Sequence, residues 1–199
     1  HINKSTSDKV NTIDVTDVLI AKKNDGLYYK TDHHWKTKAA YYTFRQYAAY
    51  KGITPVNYNF YDVTGSFQGT QSSNSGVYST YETVTIVEYV KEGKKTTSLF
   101  DDSKLKEKDK YQVFLGGNFA QVDITTTAGT GRNLMIIKDS YANCFIPLLT
   151  PYYDKIIVID PRYFYDDIYT LIEAYGISDV LFMYNVNSYV EDNSLEDIL

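Results

Sequence analysis

In its last third the chain carries the stretch Leu134-Met135-Ile136-Ile137-Lys138-Asp139-Ser140. Four consecutive apolar residues that end in polar ones are typical of a strand buried on both faces of a sheet. Two similar runs follow, Ile156-Ile157-Val158-Ile159 and Val180-Leu181-Phe182-Met183, and a helical pattern from Asp166 to Tyr175 lies between them. Buried strands that alternate with helices predict an α/β fold in which three parallel strands lie side by side.

Polar side chains follow each of these strands. Ser140, Arg162 and Asn185 come just after the three apolar runs, and ligands of open α/β sheets bind beyond the carboxyl ends of the strands. A serine between a strand and a helix has an exposed hydroxyl, and the helix N-terminus offers N–H groups to developing negative charge. Ser140 is therefore a candidate nucleophile. The competing interpretation is that Asp139 or Ser140 only caps a helix that continues to Leu149.

The second candidate segment is Asp32-His33-His34-Trp35. It separates a predicted short strand, residues 27–30, from an amphipathic helix, residues 37–51, that Gly52 ends. Together with Ser140 it provides the carboxylate, imidazole and hydroxyl of a serine hydrolase triad. We predict that His34 is the base and that Asp32 orients it, with His33 as the rival base.

Two other interpretations of this segment remain. A metal site needs ligands that converge, whereas adjacent His33 and His34 would point apart in an extended segment, and no spaced Cys or His completes a tetrahedral set. We therefore expect no metal and no cofactor. The remaining alternative is that Asp32 caps the helix and one histidine is simply exposed.

The composition fits a single domain of 199 residues and argues against two classes of partner. The net charge of −5 is a poor match for nucleic acid or for an anionic membrane surface. The 21 tyrosines are suited to stacking on sugars or simply to packing on a sheet.

The lone Cys144 cannot form an internal disulfide. No apolar run reaches the roughly 18 residues of a membrane helix, and the abrupt start at His1 indicates a mature form or a fragment.

Residues 57–110 differ from the rest of the chain. They are rich in Gly, Ser and Thr, and an alternating pattern over Thr83–Val90 predicts a strand that a turn at Glu92–Lys95 follows. They end in the charged run Asp101–Lys110, which we predict to be a surface loop or helix. We interpret them as a β-hairpin insertion in the single domain 1–199. Such an insertion serves as a lid or substrate platform, or is only an excursion.

Three motifs together carry a family resemblance: Thr31-Asp32-His33-His34-Trp35, Lys138-Asp139-Ser140-Tyr141-Ala142-Asn143 and Asp160-Pro161-Arg162-Tyr163. They resemble the DHHW protein family of Gram-positive bacteria, a branch of the SGNH-like acyltransferase group that includes the alginate acetyltransferases. The resemblance implies a three-layer SGNH-hydrolase-like (flavodoxin-like) parallel sheet. It also implies a circularly permuted motif order, because the Asp-His pair precedes the serine.

The resemblance also implies roles for individual residues. Ser140 would be the nucleophile, with His34 and Asp32 as base and orienting acid. Asn185 falls at the position of the oxyanion asparagine, and Tyr141 is a further candidate for binding substrate. Arg162 stands where the group has an oxyanion glycine, and Lys138 replaces the first glycine of the usual Gly-Asp-Ser. Arg162 can still donate hydrogen bonds to a developing oxyanion.

The function implied is extracytoplasmic, serine-dependent O-acetyl transfer or de-esterification on a cell-envelope polysaccharide, through an acyl-enzyme. The expected partners are a polysaccharide or glycan substrate and an acyl-donor membrane protein, with no nucleic acid. The expected location is the cell surface or secreted, with a membrane anchor in the full-length protein. The alternative is a catalytically silent carbohydrate-binding or envelope-assembly module of the same fold.

Overall fold

The computed structural model describes residues 10–89, 99–196 and 198. The helices are α1 (Thr16–Ala21), α2 (Thr37–Lys51), α3 (Thr70–Ser75), α4 (Ile168–Tyr175) and α5 (Val186–Glu191). The strands are β1 (Asn59–Phe67), β2 (Glu82–Glu88), β3 (Gln121–Thr125), β4 (Asn133–Lys138), β5 (Lys155–Ile159) and β6 (Asp179–Met183). Short 3₁₀ turns cover Lys23–Asp25, Asp102–Lys106, Lys110–Val113, Ser140–Cys144 and Ile146–Leu149.

The main sheet has four strands in the order β3-β5-β4-β6. Strand β4 is parallel to both neighbours, with Leu134 opposite Ile156 on one side and Asp179 on the other. The prediction of three adjacent parallel strands is therefore confirmed. Strand β3, which pairs antiparallel with β5, has no counterpart among the predicted strands. The reason is that β3 is a short, half-exposed edge strand with no continuous apolar run. The fold is a mixed α/β fold.

Both faces of this sheet carry a core. The side chains of Leu134, Ile136 and Ile156 pack on the face that also receives Phe44 of α2. Met135 and its neighbours on the opposite face pack against α4. Each fully buried aliphatic side chain of this kind contributes roughly 1.5–3 kcal/mol. These two covered faces hold β4, and therefore the turn at its carboxyl end, in one position.

Strand β6 lies at the edge of the sheet, and it alternates between half-buried and exposed residues. Val180 and Phe182 are each 42% exposed. An exposed, partly apolar edge strand is expected when only three parallel strands form the sheet core.

Helix α2 has the bounds that the sequence predicts. Gly52 ends it in the left-handed conformation (φ 63°), and its N–H donates to the carbonyl of Ala48. The buried face carries Ala39 and Ala40, and α2 packs against β2 and against the turn Ser140–Cys144. Since α2 follows Trp35 almost directly, its packing determines where the preceding loop lies.

Strands β1 and β2 form a separate antiparallel pair, with α3 between them in the chain. The predicted strand over Thr83–Val90 is β2, and its partner is the upstream β1. The predicted turn at Glu92–Lys95 lies outside the described residues. The chain therefore reverses direction through residues 68–81, which contain α3.

Two local predictions differ from the structure. The predicted strand over residues 27–30 makes only one bridge, between Tyr28 and Trp35. The predicted helix after Ser140 is two 3₁₀ turns, and Pro147 at the start of the second cannot donate a helical N–H bond. The charged run Asp101–Lys110 agrees with the predicted surface loop or helix, because it is mostly exposed and contains the 3₁₀ turn Asp102–Lys106. Within the described ranges, every helix is too short or too polar to span a bilayer.

Candidate active site

The segment that contains Asp32 and His34 forms a tight loop. The N–H of Lys36 donates to the carbonyl of Leu27 at 2.8 Å, which closes the base of the loop. At its tip, the N–H of His34 donates to Asp32 Oδ1 at 3.0 Å. This bend buries Asp32 and His34 and leaves His33 exposed. The loop thus presents two side chains inward from three consecutive residues.

A chain of hydrogen bonds runs from this loop to the end of β4. Asp32 Oδ1 lies 2.6 Å from His34 Nδ1, and His34 Nε2 lies 2.7 Å from Ser140 Oγ. Ser140 begins the 3₁₀ turn after β4, and the preceding carboxylate, Asp139, accepts from the N–H of Tyr141 at 2.9 Å. The structure therefore brings together a carboxylate, an imidazole and a hydroxyl in the order that an activated serine requires.

The rival histidine lies outside this chain of bonds. His33 Nδ1 lies 2.7 Å from Thr70 Oγ1, and the side chain is 47% exposed. Burial and the neighbouring imidazole of His34 lower the pKa of His33. The expectation that the two histidines point apart is wrong: their ring centroids are 3.9 Å apart, because the chain bends here instead of extending.

The carboxylate of Asp32 is supported from its other side by α3. Thr70 donates to Asp32 Oδ2 from its N–H at 2.9 Å and from its hydroxyl at 3.1 Å. Burial by itself raises the pKa of Asp32, but the hydrogen bonds from His34 and Thr70 outweigh it and hold that pKa well below the ordinary range. Asp32 is therefore ionised at neutral pH and can stabilise an imidazolium at His34.

Glu82 of β2 holds the loop itself. Its Oε2 accepts from the N–H groups of Lys30 and Thr31 and from the Thr31 hydroxyl, all at 2.8 Å. Its Oε1 lies 3.0 Å from Lys36 Nζ. The β1–α3–β2 unit therefore forms the wall behind Asp32. Thr70 and Glu82 were not predictable as site residues, because nothing in their local sequence indicates a contact with residues so far upstream.

Three aromatic residues hold the imidazole and the serine turn in place. The ring of Tyr111, which is buried, stacks on His34 with centroids 3.9 Å apart and planes 12° apart. Trp35 Nε1 donates to the carbonyl of Tyr141 at 2.8 Å. The Tyr141 hydroxyl donates to the carbonyl of His33, and burial raises the pKa of Tyr141 to about 12. Tyr141 therefore ties the serine turn to the histidine loop.

Asn185 and Arg162 both lie near the carboxyl ends of the strands, with other partners. Asn185 Oδ1 accepts from the N–H of Asn187 at 2.7 Å and caps α5, while its own N–H donates to Asp139 Oδ2 at 2.9 Å. Arg162 forms a two-pronged pair with Asp160, at 2.8 and 2.6 Å. Within the described residues, neither side chain is hydrogen-bonded to His34 or Ser140. Their assigned roles stay predictions.

A cleft of about 530 Å³ opens in front of the hydroxyl of Ser140. Its wall combines the site residues with charged groups and two aromatic rings. Phe119 and Tyr163 are 49% and 50% exposed. The lining consists of His33, His34, Lys104, Asp109, Tyr111, Gln112, Gly116, Gly117, Asn118, Phe119, Ser140, Asn143, Arg162 and Tyr163. The cleft offers apolar faces with polar groups around them, as a sugar ring requires.

The same loop also offers a possible set of metal ligands. Asp32, His33 and His34 each present one ligand atom, and these atoms lie within 4.8 Å of one another. However, both ring nitrogens of His34 and one oxygen of Asp32 already belong to the chain of bonds to Ser140. A metal ion bound here would break that chain, so metal binding and an activated Ser140 exclude each other.

Most of the sequence matches one known protein family. The profile described as DHHW protein matches residues 3–159. The chain belongs to the DHHW protein family. The matched range of this DHHW chain includes Asp32, His34 and Ser140, and it ends with β5.

Solved structures share the fold. A DHHW family protein from Eubacterium siraeum superposes on this chain with a TM-score of 0.78 at 27% sequence identity. The match covers 92% of this chain and 68% of that protein. Bacillus cereus PatB1 with a sulfonyl adduct gives a TM-score of 0.76 at 17% sequence identity. The match covers 99% of this chain and 74% of PatB1. A further structure of Bacillus cereus PatB1 gives a TM-score of 0.72 at 15% sequence identity, and the match covers 94% of this chain and 72% of PatB1. The comparison with curated proteins finds no match.

Proposed function

We propose that this protein transfers or removes O-acetyl groups on a cell-envelope polysaccharide through a covalent acyl-enzyme at Ser140. The observation that carries the proposal is the continuous set of hydrogen bonds from Asp32 through His34 to Ser140 Oγ, with 2.6 and 2.7 Å separations. The contacts of Thr70 and Tyr111 support it, because they hold the acid and the imidazole in place. A merely structural serine would need none of this.

The proposed steps use the arrangement of Asp32, His34 and Ser140. Ser140 Oγ attacks the carbonyl carbon of the acetyl ester, His34 Nε2 takes the hydroxyl proton, and the carbonyl electron pair moves to oxygen. The tetrahedral intermediate collapses, and His34 returns the proton to the leaving alcohol. A sugar hydroxyl or water then attacks the acetyl-serine and gives its proton to His34; the bond between Ser140 Oγ and the acyl carbon breaks, and His34 returns the proton to Oγ. Asp32 keeps the proton on Nδ1 and stabilises the imidazolium in both halves of the reaction.

The finer architecture belongs to the same proposal. We infer a three-layer SGNH-like arrangement in which α4 and α2 cover opposite faces of the main sheet. The order of the motifs is permuted, because Asp32 and His34 precede β4 and Ser140. The similarity of the fold to PatB1 and to the Eubacterium siraeum protein supports this assignment.

The setting of the reaction is proposed from the resemblance alone. The substrate is an acetylated or acetyl-accepting glycan, the acyl group comes from a membrane-bound donor protein, and the protein acts outside the cytoplasm. Phe119 and Tyr163 at the cleft give apolar faces on which sugar rings stack. The choice between transferase and esterase depends on whether the cleft excludes water once acceptor is bound.

The test uses a chromogenic acetyl ester and a soluble amino-sugar oligosaccharide as acceptor. Wild type should release the chromophore and should form an acetylated oligosaccharide that mass spectrometry detects. Ser140→Ala and His34→Gln should each lower kcat by at least about 10³-fold. Ser178→Ala, at the opposite end of the main sheet, is the matched control and should behave as wild type.

A sulfonyl fluoride provides a second readout that does not need the natural substrate. Intact-mass analysis should show one sulfonyl adduct on wild type and none on Ser140→Ala. Absence of both turnover and adduct formation in wild type would contradict the proposal and favour a silent carbohydrate-binding module.

A further inference from the structure

One wall of the cleft is formed by a turn with unusual backbone geometry. Leu115 has φ 61°, and it is the one non-glycine residue with positive φ in the part of the chain that the structure describes. Gly116 and Gly117 follow with φ values of 77° and 121°. A left-handed leucine is costly and persists only where its surroundings impose it, which happens most often at functional sites. This turn places Asn118 on the wall of the cleft that Ser140 also lines.

The amide of Asn118 has a fixed orientation. Its Oδ1 accepts from Lys138 Nζ and from Asn143 Nδ2, each at 3.0 Å. A lysine ammonium can only donate, so the atom that faces it must be the oxygen. Asn118 Nδ2 therefore points the other way, and it has no hydrogen-bond partner among the described residues. Because the two donors lie two residues before and three residues after Ser140, Asn118 is tied to the turn that carries the serine.

A buried ion cluster supports this amide. Lys138 Nζ lies 3.1 Å from Asp160 Oδ2, and the two side chains are 2% and 0% exposed. Arg162 pairs with the same carboxylate from the cleft side. Lys138 and Arg162 are the two residues that replace the glycines expected in the SGNH-like pattern. In the structure they converge on Asp160, and through Lys138 this cluster reaches Asn118.

We propose that Asn118 supplies the side-chain donor that stabilises the oxyanion at Ser140, and that Lys138 is its positioning residue. The inference rests on the proposed function, because it needs an ester carbonyl to react at Ser140. As Oγ bonds to the carbonyl carbon, the π electrons move to oxygen, and Asn118 Nδ2–H donates to that charge. The N–H of Ser140 also has no acceptor among the described residues and is available as a second donor.

This assignment differs from the roles predicted for Asn185 and Arg162. Asn185 uses its side-chain oxygen to cap α5, and Arg162 commits two of its nitrogens to Asp160. Both amides are held through their side-chain oxygens, but Asn118 lines the cleft together with Ser140, whereas Asn185 is not among the residues that line it. A preorganised donor of this kind costs no rearrangement when charge develops.

The test measures chromogenic acetyl ester turnover by two variants that lose the donor in different ways. Asn118→Asp keeps an oxygen for Lys138 and Asn143 but removes the Nδ2 donor, and Asn118→Ala removes the amide without adding charge. Both should lower kcat by about 10²–10³-fold with KM changed less than about threefold, because the donor acts only on the transition state. Asn74→Asp in α3 makes the same chemical change at an exposed position away from the cleft and is the matched control.

The outcomes separate this inference from the proposed function. If wild type shows Ser140-dependent turnover but both Asn118 variants stay within about threefold of it, the oxyanion assignment is wrong while the proposed function stands. A loss of kcat in Asn185→Ala without a loss in the Asn118 variants would show that Asn185, and not Asn118, is the oxyanion donor. Absence of any Ser140-dependent turnover in wild type would overturn both. A rise in KM with kcat unchanged would show that Asn118 only binds substrate.

Discussion

Gly69 lies against Asp32 so closely that a Cβ at position 69 would come within 2.1 Å of Asp32 Oδ2 and 2.3 Å of its Cβ. The backbone of Gly69 has ordinary extended angles, with φ −91° and ψ −159°. The glycine is therefore required by space and not by backbone conformation. It lets the N-terminus of α3 reach the carboxylate that orients His34.

We predict that Gly69→Ala moves Asp32 off its hydrogen bond to His34. A displacement of about 1 Å at such a site costs on the order of 10²-fold in rate, so kcat for an acetyl ester should fall by about that factor. Gly65→Ala, in β1, is the control, because a Cβ there meets no atom within 4 Å. Equal activity of the two variants would mean that Asp32 does not orient the base.

The stacking of Tyr111 on His34 leads to a second prediction. Tyr111→Leu should lower kcat by about 10-fold, because the imidazole loses the flat surface that sets its plane. Phe114→Leu is the matched control: Phe114 is buried and packs on Tyr111 with centroids 5.0 Å apart. Both variants should lose about 1–3 kcal/mol of unfolding free energy. Equal kcat values in the two would show that the stacking serves packing alone.

Zinc ions should inhibit the proposed reaction at Ser140. Zn²⁺ bound by Asp32, His33 and His34 would take Nδ1 or Nε2 of His34 away from its partners. Turnover should therefore fall as Zn²⁺ is added and should recover with a chelator, and chelator alone should leave it unchanged. His33→Ala should raise the Zn²⁺ concentration that halves the activity. Loss of activity on chelation of the untreated protein would contradict the serine mechanism.

The buried pair of Lys138 and Asp160 should carry more stability than a partly exposed pair. Asp160→Asn leaves an ammonium in the core without its counter-ion, so the unfolding free energy should fall by about 3–5 kcal/mol. Asp179→Asn removes the partner of Lys51, where both side chains are 24% exposed, and should cost about 1 kcal/mol. Chemical denaturation of the two variants measures the difference, and similar losses would contradict the buried-charge account.

Acid should unfold the protein through the same carboxylates. Burial favours a higher pKa for Asp32 and Asp160, but hydrogen bonds from His34 and from Arg162 outweigh it, so each folded pKa lies below the ordinary 3.8. The folded state then binds fewer protons than the unfolded state. The stability that these groups contribute is complete above about pH 5 and is lost as the pH falls through 3.8 toward the folded values. The fall in Tm over this window should be smaller in Asp160→Asn than in wild type.

The elements with strong local signals were predictable from the sequence. The apolar runs of β4, β5 and β6 and the helix α2 follow from residue patterns within a dozen positions, and the DHHW and Lys-Asp-Ser motifs are contiguous. Strand β3 and the 3₁₀ turns after Ser140 were missed, since an edge strand has no continuous apolar run and a 3₁₀ turn shares the pattern of a helix.

The residues that complete the site depended on contacts between distant segments. The sequence by itself determined that an acid, a base and a serine lie at the ends of predicted elements. Only the tertiary structure decided that His34 and not His33 faces Ser140, that Thr70 and Glu82 support the histidine loop, and that Asn118 stands on the cleft wall. The physical reason is that periodicity and propensity report which face of one element is buried, whereas a hydrogen bond between residues a hundred positions apart depends on how the packed elements bring their ends together.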